Sequence, residues 1–121
     1  MKKILIVEDE TALREVYVML FSMEKFEVHQ AHNGLVAIKQ LKAVKPDLII
    51  LDVLMPVMGG IEFLEAVDIQ KNYPGVKVLV LSNLSDPKTR TQVEKLGASK
   101  YILKASAAPT QLVTVVKQLL G

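Results

Sequence analysis

The sequence predicts an α/β fold of the doubly wound kind, a single parallel sheet covered by helices on both faces. Three observations predict it. Short apolar runs alternate five times with segments of helical period along the 121 residues. The runs are nearly continuous in apolar residues, as strands buried on both faces are, rather than alternating like half-exposed hairpins. The out-of-place polar residues all fall at the C-terminal ends of these runs, the edge at which doubly wound sheets bind ligands.

Each element follows from local signals. KILIV (3–7) is a short buried strand. In the next segment Leu13, Val16, Tyr17 and Leu20 recur at i, i+3, i+4 and i+7, an inward helical stripe. EVHQA (27–31) is a second, more polar strand. Asn33 caps a helix carrying Val36, Ala37, Leu41 and Val44, which stops before Pro46. DLIIL (47–51) is the most continuous apolar run and therefore the central strand. Ile61, Phe63, Leu64, Val67 and Ile69 support a third helix ending before Pro74-Gly75. VKVLVL (76–81) is the fourth strand, Ser85-Asp86-Pro87 starts the fourth helix, and Gly97 stops it. KYIL (100–103) is the fifth strand, and Pro109 opens a fifth helix with Leu112, Val115, Val116, Leu119 and Leu120 inward and Val113 at the margin of the stripe, open to a partner.

Composition excludes several function classes. Half of the residues are apolar, enough for the core of one domain spanning 1–121. A net charge of +2 with dispersed lysines does not make a nucleic-acid surface. There is no cysteine, hence no disulfide and no thiolate metal site. The N-terminal apolar run is too short for a signal peptide, and no run approaches the ~20 residues of a membrane span, so a cytoplasmic domain is expected. His29 and His32, without partner ligands nearby in sequence, read as solvated, and Met19 and Met23 as packing.

The informative residues are those ending the strands. Glu8-Asp9 follow the first strand, Asp52 ends the third within IILDVLMPVMGG, Ser82 ends the fourth and Lys104 ends the fifth. Each has an ordinary role open to it, as helix-end charge, Asx turn, cap or surface lysine. Five such residues on one edge need more. Carboxylates brought together repel unless a cation joins them, and with oxygen donors only that cation is a hard ion such as Mg²⁺. A metal on one side and the Lys104 ammonium on the other would neutralise phosphoryl oxygens, with the Ser82 hydroxyl donating to a third. That makes Asp52 the nucleophile of a phosphoryl transfer.

This ordered set, Glu8-Asp9, Asp52 in LDVLMPVMGG, Ser82 in VLVLSN and Lys104 in YILK, resembles the receiver domain of two-component response regulators over essentially the whole chain. The resemblance implies a flavodoxin-like fold with strand order 2-1-3-4-5 and five helices. It implies phosphorylation of Asp52 by a histidine kinase or phosphotransfer protein, with Glu8, Asp9, Asp52 and the Leu54 backbone carbonyl as Mg²⁺ ligands. Ser82 and Tyr101 become switch residues, and the surface of the fourth helix, fifth strand and fifth helix meets an effector or a second copy. The domain is then a stand-alone regulator or part of a longer one, and not a turnover enzyme. Three positions depart from the family pattern: Ala105 stands where proline usually follows the lysine, in a connection one residue longer. Asn83 replaces a small residue, and Gly59 replaces Asp or Asn. The Lys104–Ala105 bond is expected to be trans. Leu54, Asn83 and Leu84 are expected to flank the path of water to the phosphoryl group.

Three rivals share parts of the pattern. A haloacid-dehalogenase-type phosphohydrolase needs a second carboxylate two residues after its nucleophile, where this chain has Leu54. A flavodoxin needs a Ser/Thr/Gly-rich phosphate loop, and EDETALR offers acids instead. A phosphorylation-independent docking module keeps the fold without the chemistry, and the intact acidic set argues against it.

Overall fold

The computed structural model describes residues 1–121. The elements are β1 (Lys3–Val7), α1 (Thr11–Met23), β2 (Glu27–Ala31), α2 (Gly34–Val44), β3 (Leu48–Asp52), α3 (Gly60–Val67), α4 (Ile69–Asn72), β4 (Lys77–Ser82), α5 (Pro87–Lys95), β5 (Lys100–Leu103) and α6 (Pro109–Leu120). A single 3-10 turn, Lys104–Ser106, leads out of β5. All five strands are parallel, in the order β2-β1-β3-β4-β5. The winding direction reverses between β1 and β3, which opens a crevice at their C-terminal ends.

The pleat divides the core into two layers. On one face Leu5, Val7, Ile49, Leu51, Val78 and Val80 pack under α2, α3, α4 and α5. On the other Ile4, Ile6, Leu48, Ile50, Leu79 and Leu81 pack under α1 and α6. Burying each such aliphatic side chain is worth about 1.5–3 kcal/mol, so the sheet's central strands anchor the site above them.

The predicted helix signals operate as caps. Asn33 Oδ1 accepts from Val36 N at 2.9 Å, and Asp86 Oδ1 accepts from Lys88 N at 3.0 Å with Pro87 in the first turn. Gly97 leaves α5 at φ +111.

Four sequence expectations are corrected. The third helix is two: Asp68 takes φ +47 after Val67, and Asn72 Nδ2 closes the break by donating to Val67 O at 2.9 Å, giving six helices in all. Central strands β3 and β4 run one residue later than expected, so Asp52 and Ser82 are their last residues. Val16, Met19 and Met23 are 39, 60 and 72% exposed, because the inner stripe of α1 runs through Leu13, Tyr17, Leu20 and Phe21 instead. Val113 is buried in the α1/α6 layer rather than open to a partner.

Candidate functional site

The strand register builds the site. Val7 pairs with Leu51 and Asp52 with Leu81, so Glu8 and Asp52 stand side by side one residue above the last shared row. Side chains alternate across the pleat, and Leu81, level with Asp52, belongs to the α1/α6 layer. Glu8 and Asp52 therefore crown that layer. Lys104, just beyond β5, reaches over them: its Nζ lies 2.7 Å from Glu8 Oε1 and 3.1 Å from Asp52 Oδ2. Carboxylate oxygens of Glu8, Asp9 and Asp52 all come within 4.8 Å of one another. Glu8 and Asp52 are buried, while Asp9 is exposed.

An open cleft of about 360 Å³ sits over this group. It is lined by Glu8, Asp9, Glu10, Asp52, Leu54, Ser82, Asn83 and Lys104. The sequence expectation for Leu84 is corrected here. Its N–H donates to Ser82 Oγ at 3.0 Å and its carbonyl accepts from the Tyr101 hydroxyl, which turns its side chain into the α2–α5 layer and away from the cleft. Ser82 is buried, and Tyr101 is half-buried with the Arg90 guanidinium 5.9 Å from its ring centre. The Lys104–Ala105 bond is trans, as the sequence suggested.

Two site residues carry no isolated sequence signal. Glu10 lines the cleft, and its N–H donates to Glu8 Oε2 at 3.0 Å. Arg14 donates to the Glu8 carbonyl at 2.7 Å and to Gln30 Oε1 at 2.9 Å, fixing the end of β1 against α1 and β2. The acid run EDE hinted at the first, but only the fold brings Arg14 back over β1. His29 is paired with Glu27 at 2.8 Å on the edge strand rather than merely solvated, and His32 is exposed.

The loop after Asp52 is tightly drawn. Val57 takes φ +70 in a γ-turn closed by Met58 N to Pro56 O at 2.8 Å, an unusual conformation for a β-branched residue. Gly34 N donates to Met58 O at 2.8 Å, which ties the loop to the start of α2. At Gly59, where the family pattern more often has Asp or Asn, the Glu62 carboxylate accepts from the Gly59 N–H at 2.8 Å. The α3 N-terminus is thus capped from within the helix.

Electrostatics distinguish the three charged groups. Burial and the neighbouring Glu8 charge push the Asp52 carboxyl up to about 6, against the pull of Lys104. For Lys104, burial lowers the pKa, but the hydrogen bond to Glu8 and the charges of Asp52 and Glu8 outweigh it and raise it.

A stability prediction follows with a definite sign. The Asp52 carboxyl holds its proton to a higher pH in the folded protein than in the unfolded chain. Its contribution is therefore full at low pH and lost as pH rises through about 6. Asp52→Asn should accordingly stabilise the metal-free protein by about 2 kcal/mol above pH 7 and by much less at pH 4. Thermal melts in chelator at the two pH values measure this; an equal effect at both would show that ionisation of the buried Asp52 carboxyl is not its cause.

The donor set fits a hard divalent cation: three carboxylates within reach of one another, and no sulfur or imidazole among them. Leu54 lines the same cleft.

Known proteins resemble this chain in both sequence and fold. Residues 4–117 match the family model described as the response regulator receiver domain. The transcriptional regulatory protein DegU of Brevibacillus brevis is 38% identical over 117 residues, 95% of this chain and 48% of that protein. The chemotaxis protein CheY of Listeria monocytogenes is 35% identical over 118 residues, 97% of this chain and 98% of that protein. The chain spans half or less of the length of several regulatory proteins it matches. Among solved structures, a CheY-like receiver domain protein from Methanospirillum hungatei superposes with TM-score 0.91 at 28% identity, covering 99% of this chain and 94% of that one. The response regulator TrrA of Thermotoga maritima, in complex with Mg²⁺ and BeF, does so with TM-score 0.83 at 33% identity, covering 98% and 99%. Fold, register and the matched family agree: this chain belongs to the response regulator receiver domains of two-component signalling.

Proposed function

We propose that this domain accepts a phosphoryl group on Asp52, with Mg²⁺, from a histidine kinase or phosphotransfer protein, and thereby switches the surface formed by α5, β5 and α6. The observation that carries this reading is the packing of Glu8, Asp9 and Asp52 into one acidic group with Lys104 bonded across two of them. Glu8, Asp9, Asp52 and the Leu54 carbonyl would hold the metal, which when bound supplies positive charge against the phosphoryl oxygens.

The chain's own residues do the rest. An Asp52 oxygen forms the new O–P bond as the donor's P–N bond breaks, and the leaving imidazole takes up a proton. With its carboxyl near 6, Asp52 is ionised at neutral pH and ready as the nucleophile. Lys104, already 3.1 Å from Asp52, is placed to neutralise a phosphoryl oxygen. Ser82 Oγ, at present accepting from Leu84 N, turns its hydroxyl to another.

Two hydrogen bonds of Leu84 support a route for the switch. Leu84 is held from both sides, by Ser82 and by Tyr101, so movement of Ser82 loosens the segment leading into α5. That helix is easily biased, since Val93 is its one buried residue. Loading with beryllofluoride, which stands in for the phosphoryl group, should shift amide resonances from Asp52 through Leu84 and Tyr101 to α5 and α6. Changes confined to the neighbours of Asp52 would contradict the switch.

The partner reading draws on α1. Val16, Met19 and Met23 form a second, exposed apolar stripe at i, i+3 and i+7, beginning two turns from Glu10 at the cleft. A helical partner laid along it would bring its phosphohistidine to Asp52. The domain works in the cytoplasm as a signalling element, not a turnover enzyme, and its output goes to an effector protein or domain. DegU and AtoC are regulatory proteins longer than this chain. The docking module without chemistry finds no support in a site that keeps every reacting group.

Phosphoryl lifetime depends on water access. Leu54 is 61% exposed and lines the cleft without offering a hydrogen bond to water, and Asn83 adds bulk beside it. Leu54→Asn should shorten the phospho-Asp52 lifetime by about tenfold, or ~1.4 kcal/mol of barrier. Leu84→Asn should do less, because its side chain lies outside the cleft. Decay followed at fixed Mg²⁺ separates the two; an unchanged or slower Leu54→Asn decay removes Leu54 as the obstruction.

A further inference from the structure

Tyr17 stands out because the core could have taken an aliphatic residue there, yet it carries a hydroxyl. It is 4% exposed, within the α1/α6 layer that Glu8 and Asp52 crown. Long side chains on a helix lean toward its N-terminus, and the N-terminus of α1 lies at the cleft, where Glu10 forms part of the wall. Tyr17, two turns into the helix, therefore leans toward the cleft end of this layer.

Its hydroxyl is the free polar atom of this layer. It donates no hydrogen bond to protein and accepts none, yet no buried side-chain polar atom is sealed without a partner, so the oxygen keeps a small opening. The charges acting on it are those of Lys104, Glu8, Asp52 and Glu10, all of them cleft residues. Buried tyrosine hydroxyls find partners, and the charged groups that act on this one are those of the cleft.

Lys104 is the group that needs one. Its ammonium has three donors, and Glu8 and Asp52 accept two. When a cation takes the Glu8 carboxylate and Asp52 carries a phosphoryl group, the bond to Glu8 weakens and the lysine must be held toward the phosphoryl oxygen from elsewhere. We propose that Tyr17 is a positioning residue, its hydroxyl oxygen accepting a hydrogen bond from the Lys104 ammonium in the metal-loaded state. This rests on the receiver chemistry proposed above. It gives the buried phenol a task in phosphoryl transfer without any contact with the reacting atoms.

The test is Tyr17→Phe, which keeps the ring and removes only the oxygen. Two readouts are taken together: the rate of Mg²⁺-dependent labelling by a small phosphodonor, and the NMR signal of the Lys104 ammonium with Mg²⁺ and beryllofluoride. The rate should fall about tenfold, as loss of one hydrogen bond to a charged group implies. The Lys104 signal should move, and the thermal midpoint should stay close to that of the wild type. A slower rate with an unmoved Lys104 signal would mean that Tyr17 only packs, and overturns the proposal. A wild-type rate overturns it as well. Tyr17→Leu, should Phe disturb the fold, must reproduce the shifted Lys104 signal. If the wild-type chain takes no phosphoryl group, the receiver chemistry itself fails, and the Lys104 signal in Mg²⁺ alone still decides the contact.

Discussion

Lys104→Met should lose about 3 kcal/mol of stability in chelator and regain most of it in millimolar Mg²⁺. The ammonium lies between two buried carboxylates, 2.7 Å from Glu8 and 3.1 Å from Asp52. Removing one partner of a buried charge pair costs about 3–5 kcal/mol, because the remaining charge is left without compensation. Here two anions are left facing each other, and the lower end of the range applies because the cleft admits water. Protonation relieves them at low pH, so the loss should grow as pH rises through about 6, where Asp52 ionises. A cation binding the folded site but not the unfolded chain restores the balance by mass action. The same variant should take up phosphate far more slowly even when Mg²⁺ has repaired its stability, since the phosphoryl oxygen loses its ammonium. Denaturant titrations with and without Mg²⁺ read the first effect. Equal stability of the variant and wild type in chelator would show that the Lys104 pairing contributes nothing.

Gly60→Ala should be the most damaging single-methyl change in the chain. A Cβ there would sit 2.4 Å from the Asp52 carbonyl oxygen and 3.1 Å from Val53 Cα. Both obstacles are backbone, and neither can rotate away. Gly60 N also donates to Val53 O at 2.9 Å, so the first turn of α3 lies directly on the chain that carries the nucleophile. Relief requires α3 to lift, which exposes part of the layer around Phe63 and Leu64 and moves Asp52. The expected cost is about 3 kcal/mol, in the range of overpacked core sites, with Mg²⁺ affinity lowered in parallel. Gly75→Ala is the control, since a Cβ there meets nothing within 4 Å. Melts of the two variants should differ widely; similar midpoints would mean that α3 yields without strain.

Much of this architecture was legible in the sequence because local signals and tertiary demand coincide. KILIV, EVHQA and KYIL are strands with the expected limits, and Asn33, Asp86, Pro87 and Gly97 punctuate helices as their chemistry dictates. Where the two diverge, the reading failed. Asp47 looks like the first residue of the central strand, but its carboxylate accepts from Lys3 N at 2.8 Å and leads into β3 instead. Asp68 breaks the third helix by a left-handed backbone that no apolar period reveals, since Val67 and Ile69 are both buried on either side of it. On α1, Val16 and Tyr17 fit one stripe in periodicity, and only packing against α6 shows that Tyr17 goes in while Val16 faces out.

The candidate site was legible as a set of residue types and not as a geometry. Strand ends predicted that Glu8, Asp9, Asp52, Ser82 and Lys104 share an edge. That Lys104 bridges Glu8, ninety-six positions away, and that Leu84 turns inward while Leu54 faces the cleft, depend on register and on which backbone groups the loops satisfy. Arg14 was invisible for the same reason: its task is to hold a carbonyl, and a carbonyl leaves no mark in a sequence.

The central claim is that Asp52 is the phosphoryl acceptor and that a divalent cation enables the transfer. Intact-mass measurement after incubation with a small phosphodonor tests it most directly, on the wild type with Mg²⁺, on the wild type in chelator, and on Asp52→Asn with Mg²⁺. The account predicts the mass of one phosphoryl group in the first sample and none in the other two. A full phosphoryl gain in Asp52→Asn, or in chelator, would contradict it.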